Sequence, residues 1–370
     1  MWDYAIYDTQ TGVRQSPVFP SASAWGRVMN IIGSERQTTF ELADTVNAKL
    51  PYKSLVTPWS RTFVTLYNGA VRDAQIITDY DLDRDTKRLT INHSPFRQIL
   101  TKRFPFGVPS YWANESAHDP GVFTATALEY RSIISQALTL GVTGPFSSAP
   151  LPIVVPPIVA GTHGLTLGNW NFQTVDKLIT DQQTASGGPD VDFEPRLNGS
   201  GNLEYLVRTG TDAVPALTDV MYEFHMNVAQ PALVRVRKRV DGHGQVTGVF
   251  TIGEGSERDM LVAGIGLGAA AAIPALDVTQ RAKSIGDQPF LASQSASALA
   301  LNRYVTSQWS MQFVADPIRD LSMMRIGSIL RLHFGTDFWE PSGFQDLRVI
   351  GLEGDMTNII TPSLQDLVVV

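Results

Sequence analysis

The sequence predicts a mainly β protein with α insertions (α+β), carrying one small antiparallel β-barrel module twice. Three observations support that class. Residues 40–103 read FELADTVNAKL, then WSRTFVTLYNGAVRDAQIITDY, then TKRLTINHSPFRQILTKR, which is strand, strand, turn at Asn68-Gly69, strand, acidic turn, strand and short helix. A shorter echo closes the chain: IGSILRLHFG, a spacer, then FQDLRVIGLEGDMTNIITPSL, again a β-rich segment passing through a turn to a strand with an acidic turn. Third, nucleophile elbows, phosphate loops and close histidine–acid ligand patterns are all missing. Two copies of a β module with little catalytic equipment suit assembly.

The elements follow in order. Residues 1–103 hold an N-terminal arm and the first module. WDYAIY and RVMNII flank turn signals at Thr11-Gly12 and Pro17–Pro20, a hairpin and an arm. In TKRLTIN, Leu89 and Ile91 point one way while Arg88, Thr90 and Asn92 point the other, as in a half-buried strand. Ser94 with Pro95 predicts a helix start whose buried stripe is Phe96, Ile99 and Leu100. Residues 104–185 form a helical insertion. Asp119-Pro120 opens a helix with Phe123, Ala127, Tyr130, Ile134 and Leu138 at helical spacing, ending at Gly141. GPFSSAPLPIVVPPIVAG follows, an extended strap over Pro145–Gly161, because proline removes donors and blocks helix. A second helix runs from about Trp170 to Thr184 on Phe172, Val175, Leu178 and Ile179, stopped by Gly187-Gly188-Pro189.

Residues 186–252 return to strands as a β subdomain: DVDFEP, LEYLVRTG, YEFHMNV, ALVRVRKRV and TGVFTIG, with Asp241-Gly242-His243-Gly244 as a hairpin turn between the last two. Residues 253–307 hold a small-residue segment and a helix capped by Asp287 with Pro289 near its start, reaching about Tyr304. Residues 308–370 are the second module.

Composition limits the function. At 370 residues with 43% hydrophobic, the chain can bury several cores. Net charge is −7 without a basic block, against a dedicated nucleic-acid binder. Zero cysteines exclude disulfides, thiolate nucleophiles and cysteine zinc sites. MWDYAIYD lacks the order of a signal peptide. The uncharged run at 260–276 contains glycines and Pro274 and reads as strand, turn and strand; a membrane-inserting segment, exposed only transiently, is the alternative.

Four constellations need weighing. Asp79, Asp81, Asp83 and Asp85 alternate as in a calcium loop, but Arg84 and Thr90 stand where that loop needs glycine and glutamate, so a solvated acidic turn is the simpler reading. Asp190, Asp192 and Glu194 line one face of a strand, opposite Val191 and Phe193. Arg235, Arg237 and Arg239 line another, opposite Val234, Val236 and Val240. The two sets read as solvated faces or as cross-strand partners, with phosphate contact by the arginines as the functional alternative. His93, His118, His163, His225, His243 and His333 are scattered. The expectation is therefore no catalytic, cofactor-binding or metal residue. Seven dispersed tryptophans suit cores or interfaces better than a sugar-binding array.

The order of these segments resembles the tail hub (baseplate hub, minor tail) proteins of long-tailed phages infecting actinobacteria. The two modules carry it, with GGPDVDFEPRLNGSGNLEYLVRTG and GEGSERDM between them, about two-thirds of the chain. The resemblance implies a structural virion protein with two tube-like β-barrel modules, separated by helix-containing and β subdomains, acting as a homotrimer at the tail tip after assembly in the host cytoplasm. It implies a distal tail protein ring, the tape measure protein and tip or fibre minor tail proteins as partners. DNA would be present only in transit through the lumen, without stable membrane association, enzyme activity or cofactor. The rival readings are a host-surface or carbohydrate-binding tail protein, with the Pro-rich strap as its recognition surface, and a tail-associated wall hydrolase. Leu367–Val370 is a candidate apolar docking tail.

Overall fold

Alternating burial organises the first hundred residues into a sheet covered on both faces. The computed structural model describes residues 2–105, 122–143, 150–168, 171–227, 233–268, 273–282, 286–314, 324–336 and 339–367. Its first strands are β1 (Trp2–Asp8), β2 (Arg14–Pro17), β3 (Ala22–Ser23), β4 (Trp25–Val28) and β5 (Arg36–Glu41), followed by a short α1 (Tyr52–Leu55). Then come β6 (Arg61–Tyr67), β7 (Ala70–Asp83), β8 (Arg88–Pro95) and α2 (Arg97–Leu100). Seven of these strands form one sheet in the order β2-β1-β6-β7-β8-β5-β3. Tyr4, Ile6, Phe40, Phe63, Leu89 and Ile91 pack under Tyr52, Leu55 and Val56. The alternate residues Ala5, Tyr7, Val64, Leu66, Ala74 and Ile76 turn into the main core. Asn68 and Gly69, with φ of 50° and 79°, make the tight primed turn between β6 and β7.

The N-terminal hairpin is present: β1 pairs antiparallel with β2 around the Thr11-Gly12 turn. The short helix does not start on Ser94. That hydroxyl donates to Glu35 at 2.8 Å, and Phe96 occupies the cap position.

The insertion holds β9 (Val122–Leu128), α3 (Tyr130–Leu138), one π-helical turn at Thr139–Thr143, β10 (Ile153–Val154), β11 (His163–Gly168) and α4 (Val175–Thr184). Asp119-Pro120 lies outside the described residues. Phe123 and Ala127, expected in helix, belong instead to β9, whose antiparallel pairing with β11 overrides their helical spacing. The helix therefore begins at Tyr130. Likewise α4 begins only at Val175, where the Thr174 hydroxyl accepts a bond from the Lys177 amide at 3.2 Å. The described part of the strap crosses α3 in extended form. Ser132 and Ser135 donate to the carbonyls of Val159 and Pro156, and the Val159 amide donates back to Ser132.

Next come β12 (Val191–Leu197), β13 (Leu203–Thr209), β14 (Met221–His225), β15 (Leu233–Asp241), β16 (Gly248–Ile252), β17 (Val262–Gly266) and β18 (Asp277–Arg281). The chain ends with α5 (Gln288–Asn302), β19 (Thr306–Val314), β20 (Ile329–Phe334), β21 (Gly343–Gly354) and β22 (Ile359–Asp366). β10, β13 and β12 make a three-stranded sheet. A second seven-stranded sheet runs β14-β20-β21-β22-β19-β15, with β4 added onto β21. The chain divides into two compact units, residues 1–235 with 311–370, and residues 236–310. In the smaller unit β16 lies between β17 and β18, and α5 packs on it through Leu299 and Val249. The turn at Asp241–Gly244 forms, but it joins strands of two different sheets and makes no hairpin. The 260–276 run supplies β17, and no helix of the described residues is long and apolar enough to cross a membrane.

The two large sheets share a three-strand meander. β6-β7-β8 and β20-β21-β22 both pair antiparallel in chain order. In both, the long middle strand slips against the third, between Ile77 and Asp79 and between Val349 and Gly351. Neither sheet is a closed barrel: each strand order is an open path among the described residues. Closure fails in the first sheet because β2 and β3, its two ends, are not paired.

Gly12 tests how the N-terminal hairpin is held. Its φ is 68°, its carbonyl accepts from the Leu203 amide at 2.8 Å, and a Cβ there would lie 2.0 Å from the Leu203 carbonyl oxygen. Gly12→Ala is expected to destabilise the chain by at least about 1–3 kcal/mol, read as a lower chemical-unfolding midpoint. An unchanged midpoint would show that the hairpin does not anchor on β13.

Candidate assembly site

β12 has two faces of opposite character. Val191 is fully buried in the main core with Tyr205, and Phe193 packs onto Phe96. The opposite face carries Asp190, Asp192 and Glu194. These acids are not solvated, and they do not pair with Arg235, Arg237 and Arg239. Their partners come from the N-terminal arm, β13 and the second sheet. Arg27 of β4 donates to both Asp192 oxygens at 3.0 and 2.9 Å. Arg208 of β13 lies 3.6 Å from Asp192, 3.7 Å from Glu194 and 3.1 Å from Asp219, and donates to the Ile326 carbonyl. Arg325 reaches Glu194 at 3.4 Å, and Arg348 of β21 bonds Asp190. The Asp192 side chain is 2% exposed, so the seam is a desolvated charge network. Asp192 and Glu194 hold the Arg27 guanidinium above its ordinary pKa despite its burial.

Asn30 locks the same seam from the arm, in the left-handed conformation at φ 69°. Its side chain donates to Asp190 at 2.6 Å and accepts from the Val191 amide and Gln183 at 2.8 Å.

A second buried chain of hydrogen bonds runs through the first sheet. Gln75 donates to the Gly26 carbonyl at 3.0 Å and to Asp73 at 2.9 Å, which turns its amide oxygen toward His93 Nδ1 at 2.9 Å. That nitrogen must therefore carry the proton. Nε2 then accepts from Thr38 at 3.0 Å, and Thr38 in turn accepts from Ser23 at 2.9 Å. Burial drives the His93 pKa down from 6.5 to about 3. Burial also raises Asp73 from 3.8 to about 6, partly offset by the Gly26 amide and Arg27.

The surface offers open strand edges. β6 pairs β7 only as far as Thr62 opposite Ile76, so Thr78–Asp83 has β8 on one side and no partner strand on the other among the described residues. Tyr80 and Leu82 are 44% and 42% exposed on that segment. Asp79, Asp81 and Asp83 lie along this extended strand, which is not the geometry of a calcium loop. Asp79 accepts from Asn92, and Asp83 caps the turn by accepting from the Asp85 and Thr86 amides. Arg235, Arg237 and Arg239 are exposed on the edge strand β15, where Arg235 at φ 53° interrupts the regular alternation. In the smaller unit, Gly248, Gly264 and Gly266 floor an open groove of about 460 Å³ beside Phe250.

The histidines separate by environment. His93 is buried, His118 is outside the described residues, and His163 stacks on Tyr130 and meets Asp212 at 3.1 Å. His243 bonds Asp241 on an exposed turn. His225 and His333, 108 residues apart in sequence, are brought together by the parallel pairing of β14 with β20. Sequence spacing carried no trace of that pair; only a strand-pairing prediction could have found it. Of the apolar tail Leu367–Val370, only Leu367 is described, its amide donating to the Asp346 carbonyl at 3.1 Å.

No protein-family model matches the chain, and no curated protein matches it. Solved structures do. The 43 kDa tail protein of prophage MuSo2 from Shewanella oneidensis is 8% identical with a TM-score of 0.55, over 99% of this chain and 98% of that one. A tail protein from Neisseria meningitidis MC58 is 11% identical with a TM-score of 0.52, over 99% and 97%. A chain of the lidless PdpA-VgrG complex is 10% identical with a TM-score of 0.50, over 99% of this chain and 64% of its own. This chain therefore has the fold of phage tail proteins along its whole length.

Two tests follow from the seam. Asp192→Ala strands Arg27 and Arg208 in a desolvated site, so it is expected to cost about 3–5 kcal/mol. Glu41→Ala, which breaks only the exposed pair with Arg88, is expected to stay within about 1 kcal/mol. Equal losses in chemical unfolding would remove the distinction.

The second test uses pH. The folded pKa of His93 is depressed, so its stabilisation is complete above pH 6.5 and declines as pH falls toward 3. The folded pKa of Asp73 is raised, so its contribution is complete below 3.8 and is lost as pH rises through about 6. The two slopes oppose each other between those limits. Asp73→Asn should fall in stability more steeply than the parent on going from pH 6 to pH 4. Parallel profiles would mean that Asp73 titrates as an ordinary carboxyl in the fold.

Proposed function

We propose that this chain is a structural protein of a phage tail. In this reading three copies form the hub at the distal tip, joining the six-fold tail tube and distal tail ring to a three-fold tip. The carrying observation is the repeated meander: one chain holds two sheets with the same three-strand core and the same mid-strand slip. Three chains then present six such modules around an axis. The full-length likeness to tail proteins supports a tail role.

The mechanism is interface formation and controlled opening, without bond chemistry. Open strand edges, such as Thr78–Asp83, meet neighbouring copies or ring proteins, and tube-like closure of the modules is completed between subunits. Distal tail proteins lie on one side, the tape measure inside, and tip or fibre proteins outside. With a net charge of −7 and no basic block, the inner wall can pass DNA without holding it. The strap carbonyls of Pro156 and Val159 are tied to α3, which favours a packing role for this part of the strap over host recognition.

The test is the symmetry of the assembled particle. Light scattering of the purified chain and maps of tail tips are expected to show three copies, with six modules in a ring. Six copies in an unbroken ring, one module per six-fold position, would favour a distal tail protein instead. Chains of regular length distribution without closure would overturn the hub.

A further inference from the structure

The pairing of β14 with β20 sets two imidazoles side by side at the edge of the second sheet. His225 and His333 are directly opposite in the parallel register, with Nδ1 to Nδ1 at 2.9 Å and ring planes at 85°. We propose that this pair is a chelating site for a divalent transition-metal ion of the copper, nickel or zinc class. The inference departs from the sequence expectation of no metal, and it does not depend on the hub reading.

Four features support it. First, metal–imidazole bonds of ~2.0–2.1 Å place two adjacent ligand nitrogens roughly 2.9–3.4 Å apart, between square and tetrahedral angles. The observed 2.9 Å matches the square limit, and rotation about the Cβ–Cγ bond is what would turn the lone pairs from each other toward one ion. Without metal, one Nδ1 proton bridges the two rings; on binding, that proton is given up to solvent while Nε2 of the same ring takes one from solvent, so both rings ligate as neutral imidazoles. Second, the Glu223 carboxylate lies 3.9 Å from His225 Nε2. That distance is too long for a direct hydrogen bond, but the nearby negative charge favours a proton on Nε2, the tautomer that leaves Nδ1 free to ligate. Third, Phe344 stacks on the His333 ring at 4.6 Å and holds that ring, so the turn toward an ion falls to His225. Fourth, the local charge favours a cation: Arg331, two residues along β20 from His333, is paired by two 2.8 Å bonds to Asp346, and Glu223, opposite it in register, adds a further negative charge.

The protein supplies two ligands. Among the described residues no group of three or more His, Cys, Asp or Glu side chains can hold an ion, so water completes the shell. Such an open shell favours Cu²⁺ over Ni²⁺ and Zn²⁺ in affinity.

The experiment titrates the intact, untagged chain with CuCl₂, NiCl₂ and ZnCl₂ by calorimetry, with histidine-resolved NMR in parallel. One ion per chain is expected, tightest for Cu²⁺. His225→Ala and His333→Ala should each weaken binding by about tenfold or more, whereas His243→Ala and His163→Ala should not. In the unmodified chain, substoichiometric Cu²⁺ should broaden the His225 and His333 imidazole signals first, which needs no folded variant. No saturable binding, broadening that starts at His243 or His163, or unchanged affinity in folded His225→Ala and His333→Ala, would each overturn the proposal.

Discussion

A single short strand, β12, has to satisfy two incompatible surroundings, and the larger unit is arranged around that demand. Strand geometry sends Val191 and Phe193 to one side and Asp190, Asp192 and Glu194 to the other. The apolar side completes a core that already contains one face of the first sheet, α2, α3 and α4. The acidic side would be costly to bury alone, since a desolvated carboxylate without partners is worth several kcal/mol. Arginines therefore arrive from four places in the chain: Arg27 from β4, Arg208 from β13, Arg325 from the turn before β20, and Arg348 from β21. A one-residue slip of β12 would exchange the two faces and defeat both sides together. The network specifies register and sheet placement more than it adds net stability.

The same constraint explains the path of the N-terminus. Between Ser23 and Trp25 the chain leaves the first sheet, where β3 pairs β5, and enters the second, where β4 pairs β21. That crossing delivers Arg27 and Asn30 to the acidic face, and places the Gly26 amide and carbonyl against Asp73 and Gln75. Trp25 packs on Gly354 and donates to the Asp355 carbonyl at 3.2 Å, and Arg36 meets Glu353 at 2.7 Å. The arm thus works as a clasp between the two sheets.

What the sequence made legible was local and periodic. Leu89 and Ile91 alternate with polar neighbours and are buried, Asn68-Gly69 makes its turn, Pro289 opens α5, and the described part of the strap is extended. Misreadings arose where tertiary pairing overrides local pattern. Phe123 and Ala127 have helical spacing with Tyr130, yet β11 captures them as a strand. The acids of β12 look like a solvated face because alternation reports amphipathicity and cannot report whether the polar side meets water or arginine. The His225–His333 pair was invisible for a related reason: a parallel pairing across 108 residues leaves no spacing signature.

The two meanders also differ in a way that bears on how copies could join. In the first sheet the strand beside the meander, β1, runs antiparallel to β6; in the second, β14 runs parallel to β20. The edges are therefore not interchangeable, and their charges differ as well, with aspartates along the open part of β7 and arginines along β15. A pseudo-six-fold ring built from such chains cannot use one self-complementary patch. Each module would have to meet the other kind, within the chain through the clasp and the ionic seam, and between chains through open edges. That is a head-to-tail contact, which closes after three subunits only if the rotation per chain is one third of a turn. The buried seam, by fixing how the two sheets of one chain are held, would set that rotation. The polar network at β12 would then govern symmetry as well as folding.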